Sequence, residues 1–378
     1  MSQPDWGKLA EGLSGEEARR ALQLKKKLTQ LEERRQKQDT FIPFVKHMWP
    51  DFIEGEHHKV FAKQLERVAT GESKRLIVNM PPRHTKSEFA SVFFPAWMMG
   101  RNPKLKIIQA THTTELATGF GRKCKALVHS PQFREVFPEV KISPESQAAG
   151  RWNTVEGGEY FAAGVGAAIT GRGADLLVID DPHSEQDALS ETSFDACYEW
   201  YTSGPRQRLQ PGGSIVIVMT RWSTKDLTAQ VLKMQSRKGA DQWEVIEFPA
   251  IFEDDKVLWP GFWSREELEG VKSSLPVSKW AAQWLQKPTS AEAAILKKEW
   301  WQVWEGEDPP HCDYIIQSYD TAFLKSERAD YSAITTWGIF TPSEDDAQAI
   351  CLLNSEKGRW EFPTLKKKAY EHYLEYDP

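Results

Sequence analysis

Arg75-Leu76-Ile77-Val78-Asn79-Met80-Pro81-Pro82-Arg83-His84-Thr85-Lys86-Ser87-Glu88 is the stretch on which the reading of this chain turns. An apolar run of strand character enters a double-proline turn, and a Lys-Ser pair opens a helix. That is the layout of a phosphate-binding loop, where backbone N–H groups and a helix N-terminus face a polyanion. In such a loop Lys86 reaches the β/γ-phosphates and the Ser87 hydroxyl holds Mg²⁺. The pattern G-x-x-x-x-G-K-[ST] is met only in part, because Met80 and Thr85 stand where glycines are expected. A strand–turn–helix corner with a surface lysine is the alternative. The two prolines donate no N–H, so a phosphate cradle has to come from the backbone of Arg83, His84, Thr85, Lys86 and Ser87. Thr85 sits in its middle, and a β-branched residue tolerates positive φ poorly. Either the loop avoids that conformation or nucleotide affinity is lowered.

Composition bounds the rest. At 378 residues the chain is long enough for two domains with cores of their own. No apolar run is long enough to span a bilayer and no apolar signal region opens the chain, so the reading is a soluble, non-secreted protein. The cysteines (Cys124, Cys197, Cys312, Cys351) show no C-x-x-C spacing, which points to a reducing compartment and to neither zinc nor a disulfide framework. A net charge of −6 argues against a wholly basic nucleic-acid coat, while leaving room for a local basic groove.

Residues 14–38 are highly charged, with Ala21, Leu24, Leu28 and Leu31 at helical spacing, and read as a solvated helical arm over 1–40. Apolar runs at 75–80, 106–110, 159–165, 175–180, 214–220 and 243–248 then alternate with helical patterns. Several are continuous, as strands covered on both faces are, so 41–250 is expected to be an α/β domain with a mostly parallel sheet. Ligands of such sheets sit beyond the carboxyl ends of the strands. There the run 175–179 meets Asp180-Asp181-Pro182, four apolar residues followed by two carboxylates. One acid is placed to hold Mg²⁺ and the next to polarise a water, with a plain turn as the alternative. The second run ends in Thr111-His112-Thr113, read as a buried cap of the helix that follows. The fifth ends in Thr220-Arg221-Trp222, where a polar tip can sense a γ-phosphate. Thr170-Gly171-Arg172-Gly173 puts an arginine on pliant backbone, either as an arginine finger acting in cis or toward a neighbouring subunit, or as a solvated turn residue.

Residues 251–310 are rich in tryptophan and read as a linker or subdomain, in which Trp280, Trp284 and Leu285 are spaced for packing, with base stacking as the alternative. A second α/β unit, 311–378, opens with a strand ending in Asp320-Thr321-Ala322. A next strand at 331–340 is introduced by Asp330, a third lies at 349–354, and a helix runs over 364–376. A first strand ending in a carboxylate is how two-metal nucleases of the RNase H type begin, although such sites need several converging acids.

Taken in order, Pro81-Pro82-Arg83-His84-Thr85-Lys86-Ser87, Thr170-Gly171-Arg172-Gly173-Ala174-Asp175 leading to Ile179-Asp180-Asp181-Pro182, Met219-Thr220-Arg221-Trp222 and Ser318-Tyr319-Asp320-Thr321-Ala322 resemble the large terminase subunit of tailed bacteriophages. Phe94-Pro95-Ala96-Trp97, Phe120-Gly121-Arg122-Lys123 and Leu258-Trp259-Pro260 look like the family too. The resemblance covers about residues 40 to 376. It implies a RecA-like P-loop ATPase followed by an RNase H-like nuclease domain that is incomplete here, as in a fragment of a longer product with little or no cleavage of its own. It implies ATP and Mg²⁺ as cofactors, with two divalent ions, Mg²⁺ or Mn²⁺, in a complete nuclease site. The implied partners are double-stranded DNA, a portal protein, a small terminase subunit and further copies in a ring, commonly five. The implied place is the host cytoplasm, transiently the procapsid portal, with no membrane. Carried over by residue, Lys86 and Ser87 form the Walker A pair and Asp180 ligands Mg²⁺. Asp181 is the catalytic acid, Thr220 the coupling residue and Asp320 the first nuclease metal ligand. Asp181 is one methylene shorter than the glutamate usual there, so its water would sit closer. A different P-loop enzyme and a catalytically silent binding protein are the competing readings.

Overall fold

The computed structural model describes residues 15–169, 171–289, 301–306, 308–321, 332–342, 347–358 and 360–378. The chain forms two compact units, Met1–Ala293 and Ala294–Pro378. Thr170, Ala322, Asp330 and Tyr331 lie outside the described residues.

The first unit is built on β1 (Arg75–Asn79), β2 (Lys106–Thr111), β3 (Ile142–Ala148), β4 (Arg151–Thr154), β5 (Glu159–Gly164), β6 (Ala174–Asp180), β7 (Leu209–Met219) and β8 (Glu244–Glu247), in the sheet order β3-β4-β5-β2-β6-β7-β1-β8. The pairs from β5 across to β8 are parallel. Every strand run expected for this domain forms one of these strands. Their continuous apolar sequences have a simple cause, because alternate residues enter different cores. Leu76, Val78, Ile107, Leu176, Val178, Val216 and Val218 join the aromatic core with Phe41, Phe61, Phe89 and Trp97. Ile77, Ile108, Leu177, Ile179, Ile215 and Ile217 join the other face with Tyr201, Leu227 and Val231. A side-chain period of two with both faces covered removes any polar alternation.

The antiparallel pairs β3–β4 and β4–β5 were not expected. β3 reads Ile-Ser-Pro-Glu-Ser-Gln-Ala, polar and with Pro144, a composition tolerated at a sheet edge and invisible to an apolar-run criterion.

The arm is docked over its second half. In the helix Gly15–Asp39, Arg34 and Gln38 donate to the Val136 carbonyl, and Trp97 Nε1–H donates to that of Lys37. The first unit also extends past 250. Ala250 N–H donates to the Trp284 carbonyl at 2.7 Å, and Trp280 and Trp284 stack at 5.5 Å over Ala250 and Leu268. The part of the tryptophan-rich stretch up to 289 is therefore packing, and it belongs to the domain before it.

The second unit pairs β9 (Tyr314–Asp320), β10 (Ser332–Phe340) and β11 (Ala349–Gly358) antiparallel in the order β11-β10-β9. The helix Phe362–Tyr376 is tied to this sheet. Gln317 donates to the His372 carbonyl at 2.9 Å, Glu356 pairs with Lys368 and His372, and Asn354 donates to the Tyr376 hydroxyl. Because these strands alternate in direction, the carboxyl-end rule that organises the first unit does not apply to Asp320.

Candidate nucleotide site at the carboxyl edge of the sheet

Strand register assembles the site. Asn79 pairs with Met219 and Glu247, Asp180 with Val218, and Ile179 with Ala110, so the strands end at one level. The turns after β1, β6 and β7 then meet. Lys86, buried, pairs its ammonium with Asp181 Oδ2 at 2.8 Å. Asp181 Oδ1 accepts from the Thr220 N–H at 2.7 Å, and the Thr220 hydroxyl donates to the Met80 carbonyl at 3.2 Å. Thr111 and His112 donate to the Asp181 carbonyl at 3.4 and 3.3 Å, which fixes the acid's backbone from β2. Of the expected capping trio, only Thr113 caps, accepting from the Leu116 N–H.

Asp180 is fully enclosed. Ser87 donates to its Oδ1 at 3.1 Å and Ser91 to its Oδ2 at 2.7 Å. Burial, and then the charge of Asp181, push the Asp180 carboxyl up to about 7, against the pull of Lys86 and the two serines. Ser91 was not singled out from sequence. It lies four residues after Ser87 within Glu88–Phe93, a π-helical turn continuous with the loop, and π turns recur at functional sites.

Backbone conformation sets the loop apart. Arg83 and Thr85 take φ of 61° and 67°, and Asp181 takes 40°. Thr85 thus adopts the left-handed conformation that its β-branch disfavours, rather than avoiding it. Non-glycine residues in that region cost of order 1–3 kcal/mol each and persist where neighbours hold them. His84 turns its ring away from the loop. The ring is buried beside Trp259, Trp263 and Trp284, with Nδ1 2.8 Å from the Pro82 carbonyl oxygen. Only its backbone can serve a ligand.

A cavity of about 380 Å³ opens beside the loop, lined by Trp49, Arg83, Lys86, Ser87, Trp259 and Phe262 among others. Arg221, next to Thr220, donates to Asp226 at 2.9 Å and Glu247 at 3.2 Å, while its N–H reaches Gln286. The turn after β7 is thereby joined to the edge strand and to the tryptophan-rich segment.

Two expected residues lie elsewhere. Arg172 precedes β6 and pairs with Glu159, the first residue of β5, with its guanidinium 4.0 Å from the Phe161 ring centroid. That is the amino edge of the sheet, about 20 Å from Asp180 along β6 at ordinary strand rise. The cis form of an arginine finger is therefore corrected, since Arg172 does not reach the site of its own chain. Asp320 is exposed at the end of β9, and among the described residues no group of three or more His, Cys, Asp or Glu is arranged to hold a metal ion.

The donor set suits Mg²⁺ with a polyphosphate. Asp180 and Ser87 offer hard oxygens, and a magnesium ion needs only one or two protein ligands when phosphates and waters complete its shell. A buried lysine and a tight turn opening a helix offer positive potential for the phosphates.

Fold and geometry define an α/β domain with a strand–turn–helix loop carrying Lys86 and Ser87 at the end of β1 and two carboxylates at the end of β6. No family model and no curated protein matches the chain. Among solved structures it is similar to the HK97 bacteriophage large terminase, with 14% identity over 86% of this chain and 67% of that one, and a TM-score of 0.41. It is also similar to a mutant form of the Thermus phage P74-26 large terminase ATPase domain, with 14% identity over 65% and 98%, TM-score 0.44. A third is the large terminase of a thermophilic bacteriophage in complex with ADP, with 11% identity over 83% and 73%, TM-score 0.38. Among the described residues no helix is long and apolar enough to cross a membrane.

Proposed function

We propose that the first unit binds and hydrolyses ATP with Mg²⁺, and that the chain acts as a DNA-packaging motor of the large-terminase type. The observation that carries this reading is the meeting of Lys86, Ser87, Asp180, Asp181 and Thr220 at one end of adjacent parallel strands, from motifs in terminase order. ATP bound there supplies a γ-phosphoryl group for transfer to water, and Mg²⁺ offsets the charge of its phosphate oxygens.

Lys86 exchanges Asp181 for the phosphates, and the backbone of residues 83 to 87 cradles them. Trp49, Trp259 and Phe262 give the base an apolar wall. Asp180 and Ser87 hold the metal, Asp180 as the carboxylate. Released by Lys86 but still held by the Thr220 N–H, Asp181 orients the attacking water and takes its proton. Thr220, bonded to both the acid and Met80 at the loop entrance, passes the change to Arg221 and the segment around Gln286. Arg172, exposed to a neighbour only in an assembly, belongs to a trans role in a ring of copies. Double-stranded DNA, a portal protein and a small subunit complete the proposed machinery at the procapsid, and Asp320 marks the nuclease metal position.

The test is DNA-stimulated ATP turnover of Lys86→Ala and Asp180→Ala beside wild type. Loss of each group is expected to lower kcat by roughly 100-fold or more. Turnover equal to wild type in both variants overturns the site assignment.

A further inference from the structure

His58 lies beneath the phosphate loop with no exposed surface. The rings of Phe52, Trp259 and Phe89 box it in at centroid distances of 4.8, 4.9 and 5.1 Å. The Gly55 N–H donates to its Nδ1 at 2.8 Å, which leaves the proton of the neutral ring on Nε2. Burial holds the ring neutral, lowering its pKa to about 2. Nε2 faces Thr85 Oγ1 at 2.7 Å, and the Thr85 hydroxyl donates in turn to the His84 carbonyl at 2.6 Å. A single direction of donation, from Gly55 to His58 to Thr85 to His84, satisfies every group in the chain. It passes through Thr85, the one β-branched residue of the loop, whose φ is 67°.

We propose that His58 is a positioning residue of the phosphate loop, whose Nε2–H bond holds Thr85 in the left-handed conformation that glycine would adopt unaided. Glycine reaches positive φ at no steric cost, so a glycine loop needs no such prop. A threonine needs one, and its hydroxyl is also the handle by which it is held. The helix Glu56–Ala69 supplies the prop from its first turn, where His58 reaches back to the Gly55 N–H. This inference rests on the reading of the loop as a nucleotide site.

The test is a double-mutant cycle read by the affinity of a fluorescent ADP analogue with Mg²⁺. His58→Ala is expected to weaken binding about tenfold in the Thr85 protein. Whatever affinity Thr85→Gly has on its own, adding His58→Ala to it is expected to cost less than about threefold. His58→Gln, which keeps a donor, recovers part of the loss. Thr85→Val keeps the β-branch without the hydroxyl, and is expected to match His58→Ala without adding to it. It also serves if His58→Ala fails to fold. Equal losses from His58→Ala in both backgrounds, or wild-type affinity in Thr85→Val, overturn the proposal. If wild type and Lys86→Ala alike fail to bind, the nucleotide reading has failed instead. The prop is then judged from crystal structures of His58→Ala and Thr85→Val, where residue 85 is expected to leave positive φ. Retention of φ near its present value overturns it.

Discussion

Ser91 is the residue whose part in the site depends most on tertiary structure. It gives the enclosed Asp180 one of two hydroxyl donors, and a hydrogen bond to a charged acceptor is worth about 1.5–3 kcal/mol. Ser91→Ala should raise the Asp180 carboxyl further above its ordinary range, so the metal competes with a proton at neutral pH. We expect the Mg²⁺ concentration for half-maximal nucleotide binding to rise about tenfold at pH 7 and to approach wild type at pH 9. An unchanged Mg²⁺ midpoint at pH 7 would remove Ser91 from the site. The sequence pointed to Ser87 through its lysine neighbour. Ser91, inside an apolar helical run, carried no such label, because its partner is contributed by β6.

At the scale of elements, the helix Thr114–His129 shows how one residue type has two meanings. A Cβ added at Gly119 meets nothing within 4 Å, whereas one at Gly121 runs into the Ala149 carbonyl and the Tyr160 ring. Gly119→Ala should therefore stabilise the protein by about 0.5–1 kcal/mol through helix propensity, a rise in Tm of roughly 1–3 °C. Gly121→Ala should lower Tm, because the helix must lift from β5 and the β3–β4 turn, at a cost of about 1–3 kcal/mol. Scanning calorimetry decides both, and equal shifts in the two variants would refute the packing argument. The helix and the strands β2 and β5 on which it packs were legible from apolar periodicity. The pairing that crowds Gly121 was not, since it involves the polar edge strands.

For the whole molecule, four histidines of the first unit are buried in neutral form. Burial is the first cause in each case, lowering His57 to about 3, His58 to about 2, and His84 and His183 to about 4 from 6.5. A depressed folded-state pKa means stability present in full above the unfolded value and lost as pH falls from about 6.5 toward 4 and below. At pH 5 each contributes a loss on the order of 2 kcal/mol. Asp180 works oppositely. Raised to about 7, it adds stability below that value and loses it as pH rises. One carboxyl is outweighed by four imidazoles, so Tm of the metal-free protein should fall steadily from pH 7 to pH 5. A constant or rising Tm over that range would show that these rings are not held neutral in the folded state.

Local chemistry by itself determined the strands of the parallel sheet, the loop at Pro81–Ser87 and the paired acids Asp180 and Asp181. Each is written in contiguous residues whose periodicity or turn chemistry is its own signal. Tertiary structure alone decided how Thr85 can occupy a glycine position, since His58 reaches it from another helix. It also decided that Arg172 faces the wrong edge of the sheet for its own site, and that Trp259, Trp263 and Trp284 pack around His84 behind the loop. Those outcomes depend on register and on which faces meet, and neither is encoded in any one stretch of sequence.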